Sequence, residues 1–271
     1  MTLVCSQRKR GNSELIGRLA VGEAKRRGTD AELLRLGDYS LLQCDGCMRC
    51  VFNNEPCHLQ DDVYQLFDAI SRADSLLLVS PTYVLSIPGM LKLAIDRYLL
   101  MDQYHPLTDG HWAASIGVAG LRGWEQFELP LLNLLLLGLG FRILDSFMLY
   151  GAGPGEALLN SSAIGRIQTT VSRLSSRQPS EPYGPVISDH CPICFSTLFE
   201  KIEPGKFRCP VCLSLGEERK EGFYFSSETL RNHRFTPERM KSHLQDWVLS
   251  TKGDFRKKLP QILRVVKQFG L

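Results

Sequence analysis

The chain has 271 residues, of which 44% are hydrophobic and 23% charged, proportions that are ordinary for a globular protein. This length allows one doubly wound α/β domain and a smaller module. The net charge of +3 is shared unevenly, because residues 1–200 carry 17 basic and 21 acidic side chains, whereas residues 201–271 carry 15 and 8. Binding of a polyanionic partner by the basic C-terminal part therefore remains an alternative.

Local hydropathy argues against secretion and membrane insertion. The first ten residues are polar and basic and no apolar segment follows them, so no secretory signal is expected. The most apolar segment, 129–141, is interrupted by Pro130 and Asn133 and is shorter than the roughly 18 residues of a membrane span. We expect a cytoplasmic protein that does not associate with a membrane.

Short apolar segments alternate with amphipathic segments from residue 1 to 175, as in a parallel sheet covered by helices. The pattern predicts strands at 2–5, 31–36, 75–80, 113–118 and 142–149. It predicts helices at 12–27, 61–72, 87–100, 124–137 and 163–174. Five strands joined by crossover helices of this length predict a flavodoxin-like, doubly wound five-stranded parallel sheet.

The remaining chain divides into three segments. Residues 176–190 are rich in Ser, Pro and Gly, and this composition predicts a linker. Residues 191–215 contain four cysteines in a pattern like that of a zinc ribbon. Residues 216–271 are predicted to form a basic helical tail, in which Thr236 and Pro237 begin a helix.

Eight of the nine cysteines form two clusters, and in a chain with no secretory signal clustered thiols indicate metal ligands rather than disulfides. The first cluster consists of Cys44, Cys47, Cys50 and Cys57. Three thiols at intervals of three residues, with a fourth nearby, suit a [4Fe–4S] cluster bound by a flexible loop. Zinc is the alternative, although zinc sites more often combine two separate pairs.

The second cluster consists of two pairs, Cys191 with Cys194 and Cys209 with Cys212, separated by 14 residues. Each pair offers two thiolates from one tight turn, and two pairs complete a tetrahedron around one metal ion. A structural Zn²⁺ is expected, and a rubredoxin-like iron site with the same ligands is the alternative. Phe195 and Leu213 occupy the positions after each pair where related sites usually have glycine.

Polar loops follow three of the predicted strands. Ser6, Arg8, Asn12 and Ser13 lie between the first strand and its helix, where hydroxyls, a cation and a helix N-terminus suit a phosphate. A basic turn with a helix cap is the alternative. The segments 80–83 and 119–123 follow two further strands. Open α/β sheets bind ligands at the carboxyl ends of their strands, so we expect these loops to form one site.

Three motifs resemble those of the NADPH-dependent FMN reductase and iron–sulfur flavoprotein family, in the order of that family and over about residues 1–175. They are S-x-R-x-x-G-N-S, C-x2-C-x2-C-x6-C and S-P-T-Y-V-L-S-I-P-G-M-L-K. The resemblance implies that the FMN phosphate is bound by Ser6, Arg8, Asn12 and Ser13. It implies that the isoalloxazine is lined by Pro81, Thr82 and Tyr83 on one side and by Gly120, Arg122 and Gly123 on the other.

The same resemblance implies an FMN- and [4Fe–4S]-containing oxidoreductase in which the cluster exchanges single electrons with the flavin. Electrons would come from NAD(P)H or a ferredoxin-type donor and pass to a small acceptor, in a homodimer or homotetramer. One alternative is an NAD(P)H-dependent FMN or quinone reductase without a cluster. Another is an electron carrier that docks a partner through the zinc ribbon and basic tail, with nucleic acid the less favoured partner. The sequence assigns no catalytic residue.

Overall fold

The computed structural model describes residues 1–97, 99–100, 111–176 and 184–270. Its first sheet contains five parallel strands in the order β2-β1-β3-β4-β5. They are β1 (Thr2–Val4), β2 (Leu33–Arg35), β3 (Ser75–Pro81), β4 (Trp112–Ala119) and β5 (Arg142–Tyr150). This strand order confirms the predicted flavodoxin-like fold, and it places the switch point, where the order of successive strands reverses, between β1 and β3.

Helices cover both faces of this sheet. They are α1 (Asn12–Arg26), α2 (Arg49–Phe52), α3 (Val63–Ser71), α4 (Gly89–Asp96), α5 (Glu128–Gly138) and α6 (Ser161–Ser176). The helices α3, α4 and α5 pack on one face, whereas α1 and α6 pack on the other. Strand β3 serves both cores, since Leu76 and Leu78 face the first and Leu77 and Val79 the second, as expected for a strand buried on both sides.

Three helices begin later than the sequence pattern predicts, and the first of them is α3, which starts at Val63 instead of residue 61. Helix α4 starts at Gly89 because Pro88, with an extended backbone, occupies its N-cap. The predicted helix 124–137 starts only at Glu128, since the chain before it turns at Gly123, where φ is +83°. Such a φ suits glycine and prevents the helix from extending further back. These shifts leave segment 120–127 as a loop at the carboxyl end of β4.

A second, antiparallel sheet follows, in the order β6-β10-β9-β8-β7. Its strands are β6 (Val186–Ser188), β7 (Glu200–Glu203), β8 (Lys206–Arg208), β9 (Leu215–Arg219) and β10 (Gly222–Phe225). Strand β6 lies within the segment predicted as a linker, and β9 and β10 extend the sheet beyond residue 215. Phe199, Phe207, Phe223 and Phe225 pack together with ring centroids 4.4–6.1 Å apart, so these strands bury a small core of their own.

The chain then becomes helical in α7 (Ser227–Arg231), α8 (Pro237–Ser242), a π-helical turn (His243–Val248) and α9 (Thr251–Gln268). The predicted helix start is confirmed, because the Thr236 side chain accepts a hydrogen bond from the Arg239 N–H and Pro237 occupies the first turn. Helix α9 buries none of its residues. Among the described helices, none is both long enough and apolar enough to cross a membrane.

Asn133 anchors the C-terminal module to the first sheet. Its amide Nδ2 donates to the Cys194 carbonyl (2.8 Å) and to Ser146 Oγ (2.9 Å), while its Oδ1 accepts from Ser115 Oγ (2.6 Å). Asn133 is fully buried within the leucine-rich helix α5. A polar residue that the sequence shows only as an interruption of an apolar segment therefore satisfies groups on two strands and on the module.

Candidate flavin and metal sites

The three predicted polar loops meet at one edge of the parallel sheet. They follow β1, β3 and β4, which are hydrogen-bonded neighbours in the sheet. The second and third loops are joined directly, because the Phe127 N–H donates to the Leu85 carbonyl (2.9 Å). The structure thus brings together the loops that the sequence placed at the carboxyl ends of separate strands.

The first loop is shaped as a cradle before α1. Ser6 and Ser13 are buried, Arg8 is exposed, and the Arg8 N–H donates to Ser6 Oγ (3.2 Å). The Asn12 side chain crosses the site, donating to the Gly151 carbonyl (2.8 Å) and accepting from the Ala157 N–H (3.4 Å). The side chain of Asn12 is therefore occupied in linking the end of β5 to this loop, and its backbone N–H remains at the helix N-terminus.

Glu14 and Arg35 hold this loop from below, and the sequence analysis did not single them out. Glu14 is buried, and its carboxylate accepts from the Arg10 N–H (2.9 Å) and from Arg18. The Arg10 N–H and then the Arg18 and Arg35 guanidiniums outweigh burial, so the pKa of the Glu14 carboxyl is lowered. Arg35 also donates to the Gln7 carbonyl (3.1 Å). The position of Glu14 in the first turn of a predicted helix was the sequence feature that could have identified it.

The second loop contains a strained tight turn. Tyr83 and Ser86 pair through two backbone hydrogen bonds (2.7 and 3.2 Å), and the two residues between them have left-handed backbones. These residues are Val84 (φ 48°) and Leu85 (φ 70°), where turns of this kind normally carry Asn or Gly. Strain of this sort costs of order 1–3 kcal/mol per residue and is concentrated at functional sites. The turn leaves Tyr83 and Val84 exposed beside the cradle.

The third loop presents a cation and several aromatic rings. The Arg122 guanidinium lies 4.1 Å from the centre of the Tyr150 ring, and the Tyr150 hydroxyl donates to Glu125 (2.9 Å). Trp124 and Phe127 remain largely exposed on the same loop. With Tyr83 they form an apolar rim above the carboxyl ends of β3 and β4.

Glu128 is a second residue that sequence reasoning missed. It is 0% exposed, at the first position of α5, and no feature of the apolar run that follows it predicts burial of a carboxyl group. Burial raises the pKa of Glu128 to about 8, although the hydroxyls of Ser80 and Thr82 act in the opposite direction. A neutral carboxyl group therefore lies below the second loop at pH 7.

The first cysteine cluster forms an open loop. Cys47 is exposed and Cys44, Cys50 and Cys57 are partly buried, and no three of their sulfurs lie within 4.8 Å of one another in the described chain. In a [4Fe–4S] cluster each thiolate binds a different iron, whereas four thiolates around one zinc lie close together. The four sulfurs are therefore not arranged as thiolates around one zinc ion, whereas ligand atoms of Asp45, Cys47 and His58 do lie within 4.8 Å of one another.

His58 also belongs to this loop. Its Nδ1 lies 3.7 Å from Cys47 Sγ, and its Nε2 lies 3.1 Å from an Asp45 carboxylate oxygen. The C-terminal tail reaches the loop as well, because Lys252 Nζ donates to Asn53 Oδ1 (2.9 Å) and lies 5.7 Å from the centre of the Phe52 ring. The cysteine loop is therefore held against the tail of its own chain.

A buried ion pair anchors the base of the cysteine loop. Arg97 donates to Asp61 (2.6 Å) and to the Leu42 carbonyl (3.3 Å), and both charged side chains are almost completely buried. Burial acts to lower the pKa of Arg97. Asp61 and the thiols of Cys57 and Cys44 raise it by more, so the net pKa of the guanidinium is increased. Arg97, which the sequence places inside a predicted helix, thus lies next to two predicted cluster ligands.

The second cysteine cluster is closed. Cys191, Cys194, Cys209 and Cys212 are 0% exposed, and their sulfurs all lie within 4.8 Å of one another. Two of the separations are 3.3 and 3.4 Å, near the ~3.8 Å spacing that four thiolates take around zinc at about 2.3 Å. Buried thiols at these distances have the geometry of a structural tetrahedral metal site.

The two turns of this site have the same backbone structure. The Phe195 N–H donates to the Cys191 carbonyl (2.8 Å), and the Leu213 N–H donates to the Cys209 carbonyl (2.9 Å). Phe195 (φ 57°) and Leu213 (φ 64°) both adopt the left-handed conformation. The chain therefore forms the same tight turn around both cysteine pairs without glycine, at a cost in backbone strain.

The buried polar atoms that have no hydrogen-bond partner within the described chain are concentrated at the two predicted cofactor sites. These atoms are Arg35 Nε, Thr82 Oγ1, Arg97 Nε and both Glu128 carboxyl oxygens. Arg35 adjoins the first loop, Thr82 and Glu128 adjoin the second, and Arg97 adjoins the cysteine loop. Buried polar atoms are nearly always hydrogen-bonded to protein, water or ligand. The residues present thus suit a bound group at both places.

A doubly wound sheet with this edge of polar loops defines a flavodoxin-like protein of the flavin-binding class. The family described as NADPH-dependent FMN reductase matches residues 1–152, more than half of the chain. The chain belongs to this family, which confirms the resemblance seen in the sequence. Membership supports FMN as the cofactor.

Curated relatives extend this assignment. An iron–sulfur flavoprotein of Archaeoglobus fulgidus is 29% identical over 118 residues, which are 44% of this chain and 57% of that protein. An iron–sulfur flavoprotein of Methanosarcina thermophila is 26% identical over 121 residues, covering 45% and 63%. The flavone synthase cfoJ of Aspergillus candidus is 25% identical over 223 residues, covering 72% and 69%. The chain thus spans little more than half of the Archaeoglobus relative.

One solved structure shares the whole architecture. A flavone reductase superposes with a TM-score of 0.72 at 16% identity, covering 100% of this chain and 96% of that chain. The structure of RosB superposes with a TM-score of 0.53 over 65% of this chain. At these identities the likeness concerns the fold alone. The antiparallel module and helical tail are therefore not peculiar to this chain.

Proposed function

We propose that the chain is an FMN- and [4Fe–4S]-dependent oxidoreductase that passes electrons to a small acceptor. The observation that carries the proposal is the concentration of unbonded, buried polar atoms at two places, the flavin loops and the base of the cysteine loop. Family membership supports the flavin, and the names of several curated relatives support an iron–sulfur centre.

The first loop would hold the FMN phosphate. Ser6 and Ser13 supply hydroxyls, Arg8 supplies an exposed cation, and the N-terminus of α1 supplies backbone N–H groups. Asn12 contributes its backbone and fixes the loop through its side chain, which is already bonded to the end of β5. Glu14 and Arg35 keep the loop in this shape before the ligand arrives.

The other two loops would hold the isoalloxazine ring, with Pro81, Thr82 and Tyr83 on one side and Gly120, Arg122 and Gly123 on the other. When bound, FMN accepts a hydride or electrons and can release them singly or in pairs. The apolar rim of Tyr83, Trp124 and Phe127 would exclude water from the ring and receive the acceptor. NAD(P)H is the donor that the family name favours, and a ferredoxin-type protein is the alternative.

Cys44, Cys47, Cys50 and Cys57 would bind the [4Fe–4S] cluster. Arg97 lies beside this loop as a buried cation with an unbonded Nε–H. A cation and a donor of this kind stabilise the negative charge of a thiolate-bound cluster. Asp61 would hold the guanidinium in place through its ion pair.

Cys191, Cys194, Cys209 and Cys212 would bind a structural Zn²⁺, since all four are buried and no position remains open for a substrate. Iron is the alternative ion for the same tetrahedral site. The site would hold the antiparallel module together, and Asn133 would connect that module to the flavin domain.

The decisive test is purification without oxygen, followed by an absorption spectrum and assays of flavin, iron, sulfide and zinc per chain. We expect one FMN, about four irons, about four sulfides and one zinc. The C47S variant should lose iron and sulfide and keep zinc, whereas C194S should lose zinc. Flavin and zinc without iron would instead indicate a reductase without a cluster, and absence of flavin would contradict the proposal.

A second candidate concerns the acceptor, for which we propose an aromatic conjugated ketone of the flavone type. The relative named flavone synthase matches 72% of this chain, more than the flavin domain alone contains. Its name makes a flavone the product, and the same redox couple operating in the reducing direction makes a flavone the acceptor. The exposed rings of Tyr83, Trp124 and Phe127 offer a planar aromatic molecule a surface on which to stack. Reduction of such a double bond consumes one hydride and one proton.

This second candidate is tested by supplying flavone and a simple quinone to the holoenzyme under anaerobic conditions with NADPH. We expect a flavanone product by mass spectrometry and a W124A variant that loses flavone turnover by about tenfold while retaining quinone turnover. Equal losses for both acceptors, or no flavanone, would contradict a flavone-type acceptor and leave the redox centres unaffected.

A further inference from the structure

The carboxyl group of Glu128 is enclosed beneath the second of the three loops that we propose to bind the flavin. It is 0% exposed, and the chain leaves space for it by having glycine at position 117, where a Cβ atom would come within 2.9 Å of Glu128 Cγ. Glu128 begins α5 directly after the third loop and faces the end of β3. The enclosure therefore places an acid between two of the loops that would line the ring.

No cation balances this carboxyl group. The groups that face it are the hydroxyls of Ser80 and Thr82, and no charged group among the described residues contributes to its pKa. Cys5, at the end of β1, is the neighbouring titratable group, and burial followed by the charge of Glu128 keeps the pKa of its thiol far above neutrality. Both Glu128 oxygens and Thr82 Oγ1 lack well-formed hydrogen bonds, so an acid and a hydroxyl face each other with their bonding capacity unused.

We propose that Glu128 is a positioning residue that, as a neutral acid, donates its O–H to Thr82 Oγ1 and so directs the Thr82 hydroxyl hydrogen outward to the flavin. This inference rests on the proposed FMN site. An ionised Glu128 can only accept hydrogen bonds. Thr82 would then turn its hydrogen inward to the carboxylate, and the flavin would lose one donor.

The consequence is a pH-dependent affinity for FMN. Because the pKa of Glu128 is raised to about 8, the carboxyl group is neutral at pH 6.5 and ionised at pH 9.5 (both about 1.5 units from that value). One hydrogen bond is worth about 0.5–1.5 kcal/mol, so FMN should bind roughly 3- to 10-fold more weakly at the higher pH. Cys5 stays protonated over this range and does not contribute.

The experiment measures the FMN dissociation constant of the full chain by quenching of flavin fluorescence between pH 6 and 9.5. The wild type should weaken as pH rises through about 8. E128Q, whose amide still donates but cannot ionise, should bind tightly with a flat profile. T82V should bind weakly with a flat profile at every pH. E218Q, which removes an exposed carboxylate from the antiparallel module, is the control and should follow the wild type.

A wild-type inflection that persists in E128Q or in T82V would overturn the inference, as would a flat wild-type profile. If the wild type binds no FMN at any pH, the proposed function fails first and this inference fails with it. Circular dichroism of each variant at pH 7 establishes folding. If E128Q does not fold, the presence or absence of the inflection in T82V, which is nearly isosteric with the wild type, still decides the outcome.

Discussion

The chain contains two sets of four cysteines that share Cys-x-x-Cys pairs but differ in their surroundings. The C-terminal set is completely buried, and its sulfurs are in mutual contact. The N-terminal set lies in an open loop in which Cys47 is exposed. Both sets contain cysteine pairs suited to metal binding, but a closed tetrahedron of thiolates holds a fold together, whereas an accessible loop exposes its thiolates to exchange and electron transfer. Burial, more than spacing, separates a structural site from a reactive one.

The largest effect that would sharpen this contrast comes from removing one ligand of the closed site. In C194S the C-terminal module should lose zinc and unfold, because structural zinc contributes about 10–16 kcal/mol of apparent binding free energy to such modules. C47S should lower the melting temperature less than C194S does, since its loop is open and lies outside the module core. Zinc content and melting curves of both variants check this. Retention of zinc and of the wild-type melting curve by C194S would break the comparison.

The next effect concerns the ion pair that anchors the open loop. R97M leaves the Asp61 carboxylate buried without its partner, which should reduce the free energy of unfolding by about 3–5 kcal/mol. Urea unfolding at pH 7 measures the change, with R72M at an exposed arginine as the control. A loss no larger than that of R72M would show that the loop does not depend on the pair.

The same pair gives the open loop an acid sensitivity. Burial acts to raise the pKa of Asp61, but the hydrogen bond from Arg97 and that from the Leu42 N–H lower it more, with a net decrease. The stabilisation is therefore present above the ordinary Asp pKa of about 3.9 and is lost as pH falls through the lower, folded-state value. Unfolding of the wild type measured from pH 6 to pH 2 should show this loss, and D61N should lack its share of it.

A smaller effect tests the attachment of the closed module to the sheet. N133A leaves Ser115, Ser146 and the Cys194 carbonyl without their shared partner. We expect the free energy of unfolding to fall by about 2–3 kcal/mol, with zinc retained because the four ligands are untouched. N232A, which removes an exposed amide, is the control, and loss of zinc in N133A would contradict a purely connecting role.

The smallest effect concerns the contact between the tail and the open loop. K252A removes the hydrogen bond to Asn53 and the contact with the Phe52 ring, both near the surface. We expect a change in the free energy of unfolding of about 0–1 kcal/mol and faster alkylation of Cys47 in the metal-free chain. An unchanged alkylation rate would show that α9 does not restrain the loop.

Much of the fold could be predicted because its signals are local. The apolar run of β3, the helical periodicities and the turn residues between them depend on neighbours in the chain. Each observed strand boundary in the parallel sheet lies within two residues of the predicted one. The start of α5 was misplaced because Gly123 and the bond from Phe127 to Leu85, a contact across 42 positions, hold segment 120–127 as a loop.

The site was predictable to the extent that chemistry is written in residue type and spacing. Both cysteine clusters and all three polar loops were visible in the sequence. The contribution of each side chain was not visible, since the Asn12 amide donates to the carbonyl of Gly151, which lies far along the chain. Phe195 and Leu213 take the left-handed conformation without glycine because the tight turn around each cysteine pair requires it, a constraint that residue preferences do not show.

The sequence by itself determined the class of fold and the family, and it singled out the thiols that we propose as metal ligands, because periodicity and short-range spacing do not depend on three-dimensional neighbours. Only the tertiary structure decided which polar groups are buried and against what. Glu128, Arg97 and Asn133 look like ordinary surface or helix-end residues in the chain, yet each is almost fully enclosed. Burial depends on packing between distant segments, and burial sets the charge state and bonding needs of these three groups.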